Sequence, residues 1–373
     1  MKIRVLVVDD SAVFRRILSE ALSSDPEIEV VGTAANGKLA LDKMGRLRPD
    51  VVILDVEMPV MDGLSTLREM RRRFPQIGAI MFSSLTEKGA KVTIEALALG
   101  AFDFVPKPAK SGSFKESVVR IEQELIPKIK AYAQKKKRPV AIRPRPVARA
   151  ARPTPAPVRP APTSPRAPLS LAAMRRREVV AIGVSTGGPN ALAEVIPQLP
   201  VNFPAPVLIV QHMPPFFTAQ LALRLDQASK LKVVEAQAGM PVVAGRVYIA
   251  PGDFHMEVRE SGGVKTIYLH KGPPENSCRP AVDVLFRSVA SVYDGRSVAV
   301  IMTGMGRDGF VGCQRIKEAG GYVIAQDEAT SVVWGMPKFV AEAGLADQVL
   351  PIQDIPRTLV EIFKVRQHEA RSL

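Results

Sequence analysis

Three side chains in the second half of this 373-residue chain, Ser185, His212 and Asp308, could together perform nucleophilic catalysis. A serine hydroxyl is a weak nucleophile until an imidazole takes its proton. A buried carboxylate then fixes the imidazole tautomer and stabilises the cation that forms. Ser185 lies within Gly183-Val184-Ser185-Thr186-Gly187, which fits G-x-S-x-G. It sits between an apolar run, Val179–Val184, and a stretch of helical composition, Asn190–Gln198. A tight turn there lifts the serine oxygen clear of the backbone, and a helix N-terminus stabilises developing negative charge. The same glycines also fit a phosphate-binding turn or a plain βα connection, so Ser185 alone leaves these readings open.

His212 and Asp308 also follow apolar runs, Val207–Val210 and Ser297–Met302. The chain has four histidines. His368 falls in the polar C-terminal tail, His270 ends a hairpin strand, and His255, after Pro251-Gly252-Asp253, could reach a site rim. His212 is the best placed as a base, although a structural histidine there stays open. Asp308 by itself reads as a helix N-cap, but within Thr303-Gly304-Met305-Gly306-Arg307-Asp308-Gly309 the catalytic reading gains. The bare N–H groups of Gly304-Met305-Gly306 could hold an oxyanion. The order Ser, His, Asp differs from that of the α/β-hydrolases, so that fold does not follow from G-x-S-x-G.

A second set lies in the first half: Asp9, Asp10, Asp55, Ser83 and Lys107, each at the end of a strand-like run. Carboxylates packed together are costly unless a cation compensates them, and oxygen-only ligands suit Mg²⁺. A lysine and a hydroxyl beside them suit phosphoryl oxygens.

The elements that must position these residues alternate strand and helix throughout. Ile3–Val8, Glu29–Ala34, Val51–Leu54, Ala79–Phe82 and Phe102–Val105 are strand-like and are separated by amphipathic helical runs. From Glu178 the alternation resumes, with a hairpin-like pair, Phe254–Val258 and Val264–Leu269, around Ser261-Gly262-Gly263. The pattern predicts an α/β protein of two doubly wound parallel sheets, the second with an inserted antiparallel hairpin. Chemistry in such sheets gathers at the carboxyl ends of the strands. The expected boundaries are 1–125, a linker over 126–177, and 178–373. Ser113–Gln134 keeps helical periodicity into that linker, and ten prolines fall between Pro139 and Pro168. Such a segment lacks the apolar side chains to offset ordering entropy, so a disordered, partly polyproline II stretch is expected.

The net charge of +14 invites a nucleic-acid partner, but residues 135–177 hold thirteen Lys and Arg and no acid, which accounts for all but one of those charges. A proline-broken basic stretch without aromatics is neither a recognition helix nor a base-stacking surface, so no specific nucleic acid is expected. No apolar run approaches the ~20 residues of a membrane span. The N-terminus reads as a first strand, not a signal peptide. Cys278 and Cys313 are too few for a disulfide framework, which implies a reducing, cytoplasmic setting, and both read as small buried residues.

The first half resembles the response-regulator receiver domain, through V-D-D-S at 8–11, L-D-V-E-M-P at 54–59, M-D-G at 61–63 and V-P-K-P at 105–108. That resemblance implies a flavodoxin-like fold in which Asp55 accepts a phosphoryl group from a histidine kinase. Mg²⁺ would be held by Asp9, Asp10, Asp55 and the Glu57 carbonyl, and Ser83, Phe104 and Lys107 would act as the phosphoryl switch. The second half resembles the catalytic domain of the chemotaxis protein-glutamate methylesterases, through I-G-V-S-T-G-G-P at 182–189, Q-H-M-P at 211–214, A-P-G-D at 250–253, R-P-A-V-D-V-L-F at 279–286 and T-G-M-G-R-D-G at 303–309. This implies a Rossmann-like domain with Ser185 as nucleophile, His212 as base, Asp308 as orienting carboxylate, Thr186 beside the nucleophile and the Met305 N–H as oxyanion donor. It also implies a phosphorylation-controlled esterase, needing no cofactor for the ester chemistry, that acts on glutamyl methyl esters of chemoreceptors and also deamidates glutamines. The membrane would be met only through those receptors. A phosphorylation-dependent DNA-binding regulator and a non-catalytic binding module are the competing readings. The first is disfavoured by the lack of a helix-turn-helix pattern, the second by the presence of all three side chains.

Overall fold

The computed structural model describes residues 2–108, 113–137 and 177–369. In the first half, β1 (Ile3–Val8), α1 (Ala12–Ser23), β2 (Ile28–Ala34), α2 (Gly37–Leu47), β3 (Val51–Asp55), α3 (Gly63–Arg73), β4 (Gly78–Ser83), α4 (Glu87–Ala98), β5 (Asp103–Pro106) and α5 (Phe114–Lys137) alternate strictly. The five strands form a parallel sheet in the order β2-β1-β3-β4-β5. Every residue of β3 and β4 is buried, as expected of parallel strands covered on both faces. Ser11, Asn36, Asp62 and Thr86 cap α1 to α4 through side-chain oxygens, which fixes where each helix leaves the strand end before it.

The α5 helix runs well past the expected boundary at 125. Its apolar stripe, Ile121, Leu125, Ile129 and Ala133, recurs every fourth residue and packs against the same core as β1 and β4. Burial of that stripe keeps the chain helical into the segment read as linker. The proline-rich remainder of that linker, through 176, lies outside the described residues.

The second half contains β6 (Val179–Val184), α6 (Gly188–Val195), β7 (Val207–Gln211), α7 (Phe217–Ala228), β8 (Lys232–Glu235), β9 (Arg246–Ile249), β10 (His255–Ser261), β11 (Val264–His270), α8 (Val282–Tyr293), β12 (Ser297–Ile301), α9 (Phe310–Glu318), β13 (Tyr322–Gln326), α10 (Met336–Glu342), β14 (Gln348–Leu350) and α11 (Ile355–Glu369). Seven strands make a parallel sheet in the order β14-β13-β12-β6-β7-β9-β8, and β10 and β11 pair antiparallel beside it. β6 is central, with β7 on one side and β12 on the other. The chain winds outward from β6 in one direction and returns across it, so the crevice at the carboxyl end of β6 is a topological switch point. β14 and α11 have no counterpart in the sequence reading. Ile355, Leu359, Ile362 and Phe363 form the buried face of α11, and His368, read as part of a polar C-terminal tail, falls in its last turn.

The two halves touch through α4, β5 and the α6–α7 side of the second sheet. Phe104 of β5 and Phe217 of α7 stack with centroids 4.5 Å apart and planes 5° from parallel. Arg224 donates to the Ile94 carbonyl at 3.2 Å, and Asn190 to the Ala101 carbonyl at 3.5 Å.

Candidate active site

Ser185 follows β6, His212 follows β7, and Asp308 lies in the loop after β12. Three adjacent strands thus bring the three side chains to one end of one sheet. Ser185 and His212 line a cleft with Thr186, Gln211, Cys278, Arg279 and Met305, Asp308 lies buried behind His212, and the far wall of the cleft comes from the first half, including Phe104, Arg120 and Lys128. Among the described residues that cleft has a volume of about 610 Å³.

His212 Nε2 lies 2.8 Å from Asp308 Oδ2. An ionised carboxylate only accepts, so Nε2 carries a proton, and in the neutral imidazole Nδ1 holds the free lone pair. Nδ1 is therefore the basic nitrogen, and it faces the Cys278 thiol, with Sγ at 3.5 Å. Cys278 is half-buried in the cleft, contrary to the expectation of a small buried residue, whereas Cys313 is buried as expected. Among the described residues Ser185 Oγ has no hydrogen-bond partner. The structure brings Ser185 and His212 into one cleft without joining them.

Asp308 is buried, and both of its oxygens are saturated. Oδ2 accepts from His212 Nε2 and the Val282 N–H; Oδ1 accepts from the N–H groups of Asp283 and Gly309 and from Asn276 Nδ2. Val282 and Asp283 open α8, whose N-terminus has no side-chain cap of its own. Asp308 thus caps a helix from across the sheet, and the positive end of that helix favours its charged form. Burial opposes ionisation, but the bond to His212 and the backbone N–H groups outweigh it, so the carboxyl sits below its ordinary range. Burial also opposes the charged form of His212. The hydrogen bond to Asp308 and the sulfur of Cys278 outweigh it, so the imidazole sits above its ordinary 6.5.

Two polar clips hold the strand ends. Gln211 Nε2 donates to the carbonyls of Ser185 at 3.0 Å and His212 at 3.2 Å, tying the two loops together. Thr303 Oγ1 donates to the Thr186 carbonyl at 2.9 Å and accepts from the Val333 N–H. Gly304 lies against Ser185: a Cβ there would be 2.8 Å from Ser185 Cβ and 2.3 Å from Met336 Sδ, so only glycine allows this approach. Beyond it, the Met305 N–H has no partner among the described residues. His255 does not reach the rim. It is buried, with Nε2 at the Pro273 carbonyl and Nδ1 accepting from the Ala281 N–H, which braces the loop between β11 and α8.

At the carboxyl end of the other sheet, oxygens of Asp9, Asp10 and Asp55 lie within 4.8 Å of one another. Lys107 Nζ is 2.9 Å from both Asp9 Oδ2 and Asp55 Oδ1. Asp55 Oδ2 is buried and accepts no hydrogen bond among the described residues. Burial first, then the neighbouring Asp9 charge, pushes the Asp55 carboxyl up to about 6. Burial raises Asp9 as well, against the pull of Lys107. An orphaned buried oxygen among crowded carboxylates is the donor chemistry a hard divalent cation fits. Ser83 is buried at the end of β4, its carbonyl accepting the Lys107 N–H, and Glu57 donates its N–H to Asp55 Oδ1 at 3.3 Å.

An acidic strand-end pocket on a five-stranded sheet, joined to a seven-stranded sheet with a hydrolase-type crevice, defines a response regulator with an enzymatic output domain. The signature of the family described as CheB methylesterase matches residues 180–359, and that of the response regulator receiver domain matches residues 5–119. The chain belongs to the CheB methylesterase family. It is 46% identical, over 96% of its length and 98% of the relative's, to a "Protein-glutamate methylesterase/protein-glutamine glutaminase" of Trichodesmium erythraeum. Proteins of the same name from Nocardioides sp. and Symbiobacterium thermophilum are 49% and 50% identical, covering 98% and 95% of this chain and 96% and 95% of their own. Among the described residues no helix is long and apolar enough to cross a membrane.

Proposed function

We propose that this protein hydrolyses glutamyl methyl esters on chemoreceptors, releasing methanol, and deamidates receptor glutamines at the same site, under control of phosphorylation at Asp55. The observation that carries the reading is the convergence of Ser185, His212 and the unpartnered Met305 N–H in one cleft, with Asp308 buried behind His212 and bonded to it. Ser185 Oγ attacks the ester carbonyl and passes its proton to His212 Nδ1. Asp308 keeps the Nε2–H tautomer and offsets the charge of the imidazolium. The Met305 N–H receives the oxyanion. His212 then protonates the leaving methoxide, and water releases the acyl group from Ser185 by the reverse path. With a glutamine side chain the leaving group is ammonia. The Ser185–His212 hydrogen bond closes only when substrate is present, as is common in catalytic sites.

In the first half, a histidine kinase supplies the phosphoryl group to Asp55, and Asp9, Asp10, Asp55 and the Glu57 carbonyl would hold Mg²⁺. The cation would offset the negative charge gathered on the carboxylates and the phosphoryl oxygens. Lys107 and Ser83 bind that group, and Phe104, three residues before Lys107 on β5, passes the change to Phe217.

The test is methanol release from methylated receptor fragments by wild type and Ser185→Ala, each with and without Mg²⁺ and a small phosphodonor. Release that requires Ser185 and rises with the donor is expected. Release that persists in Ser185→Ala would overturn the nucleophile, and release indifferent to the donor would overturn the control.

A further inference from the structure

Between β11 and α8 the chain makes a tight turn at Glu275–Cys278. The Glu275 N–H donates to the Cys278 carbonyl at 3.1 Å and the Cys278 N–H to the Glu275 carbonyl at 2.8 Å. Asn276 and Ser277 both have positive φ, 51° and 62°, which is the type I′ geometry of a two-residue loop. Asparagine is among the few residues that tolerate the first of these positions. Arg287 of α8 grips the Glu275 carboxylate with two nitrogens, at 2.9 and 2.6 Å, and so fixes the turn.

The turn aims two side chains at the catalytic pair. Cys278 Sγ meets His212 Nδ1. Asn276 Nδ2 donates to Asp308 Oδ1 at 2.9 Å and to Asp283 Oδ2 at 3.0 Å. The opposite amide orientation would set its oxygen against two carboxylates, so this assignment is the one the partners demand. Among the described residues Asn276 is the one side chain besides His212 that donates to Asp308; the other donors are backbone N–H groups.

We propose that Asn276 is a positioning residue for the reaction: its amide bridges the buried Asp283 and Asp308 carboxylates and so holds Asp308 ionised and aimed at His212. The inference rests on the triad reading given above. Asp283 opens α8, is buried, and accepts the Gly312 N–H at 2.6 Å. Burial and the Asp308 charge both raise its carboxyl. Two neighbouring carboxylates in one buried site repel each other. The two hydrogens of one amide satisfy one oxygen of each without adding charge. A lysine or arginine at this place would compete with His212 for Asp308 and make the imidazole a poorer base. The charged and titratable groups that face this cluster are His212, Asp283, Glu275, Cys278 and Arg287.

Asn276 itself is solvent-exposed, so replacing it leaves the core intact. Two variants of the full chain separate positioning from support. Asn276→Gly keeps the positive φ and deletes the amide; Asn276→Asp keeps the shape and exchanges donors for acceptors. With methylated receptor fragments, kcat is expected to fall about tenfold in Asn276→Gly and further in Asn276→Asp, with KM unchanged, as for loss of a group acting in the transition state. The acid limb of kcat/KM should move to higher pH in both, and further in Asn276→Asp. Uncompensated negative charge beside Asp308 holds the imidazolium and delays formation of the neutral base. Wild-type rates, or a uniform loss with an unmoved acid limb, would overturn the proposal. Ser185→Ala is assayed alongside: if it retains activity the triad reading fails and this inference falls with it, whereas an inactive Ser185→Ala beside unaffected Asn276 variants refutes the inference alone.

Discussion

At the scale of single residues, the His212–Asp308 pair has a pH signature with a definite sign. Asp308 titrates below its ordinary 3.8 in the folded chain, so its contribution to stability is present above 3.8 and is lost as pH falls through the lower folded value. His212 titrates above 6.5, so its contribution is full below 6.5 and fades as pH rises through the raised value. Between about pH 4 and 6.5 both charges form and the pair contributes in full. Asp308→Asn removes the charge and one acceptor of the α8 cap, and is expected to cost about 2–3 kcal/mol in that window. The gap to wild type should narrow above pH 6.5. Trp334 is the one tryptophan of the chain and lies in the second domain, so its fluorescence during urea unfolding reads this domain. A gap that stays constant from pH 5.5 to 9 would refute the pairing. Ser185, His212 and Asp308 were legible in the sequence because each follows a buried strand of an alternating α/β pattern. Asn276 and Cys278 were not. They stand in a loop without periodicity, and their importance arises from a turn that sets them against residues dozens of positions away.

At the scale of elements, the strands and most helices were readable from apolar runs and their punctuation, helical periodicity through 134 included, whereas the surfaces that two helices pack against were not. The continuation of α5 past 125 is set by Ile129 and Ala133 finding the sheet, which outweighs a proline at 127 and the basic residues that follow. α11 is helical because Ile355, Leu359, Ile362 and Phe363 cover the second core, a stripe whose partner surface only the fold supplies. The join between β6, β7 and α6 makes a further prediction. A Cβ on Gly188 would lie 1.9 Å from Gln211 Oε1 and 2.7 Å from Val184 Cγ2. Gly188→Ala must therefore displace the Gln211 amide that ties the Ser185 and His212 carbonyls. Overpacking of this kind costs about 1–3 kcal/mol, and the loosened loops should lower kcat by at least about tenfold. Thermal unfolding together with methanol release checks both. A variant that melts lower yet turns over normally would show that the clip supports the fold without positioning the site.

At the scale of the whole molecule, the receiver forms one wall of the cleft that holds Ser185, and the proposed control by phosphorylation would act through how firmly the two domains stay docked. No periodicity in the sequence announces that Phe104 and Phe217 meet: the receiver resemblance marks Phe104 as a switch aromatic, but nothing there names Phe217 as its partner. Their stack joins the two domains, and Arg224 and Asn190 add single bonds to backbone carbonyls of the receiver. An aromatic pair of this geometry contributes about 0.5–1.5 kcal/mol beyond its buried area, which corresponds to a two- to thirteen-fold shift in a docking equilibrium. Phe217→Leu keeps most of the apolar volume in α7 and removes the stack. If docking shields Ser185, the basal rate without phosphodonor is expected to rise by about that two- to thirteen-fold factor. Stimulation by phosphodonor should shrink by the same factor, because the undocked state is already populated and phosphorylation has less left to shift. The ratio of stimulated to basal methanol release separates this from a simple defect. Both rates falling together would mean that the substitution damages the catalytic domain, and an unchanged basal rate in a normally folded variant would refute shielding by the receiver.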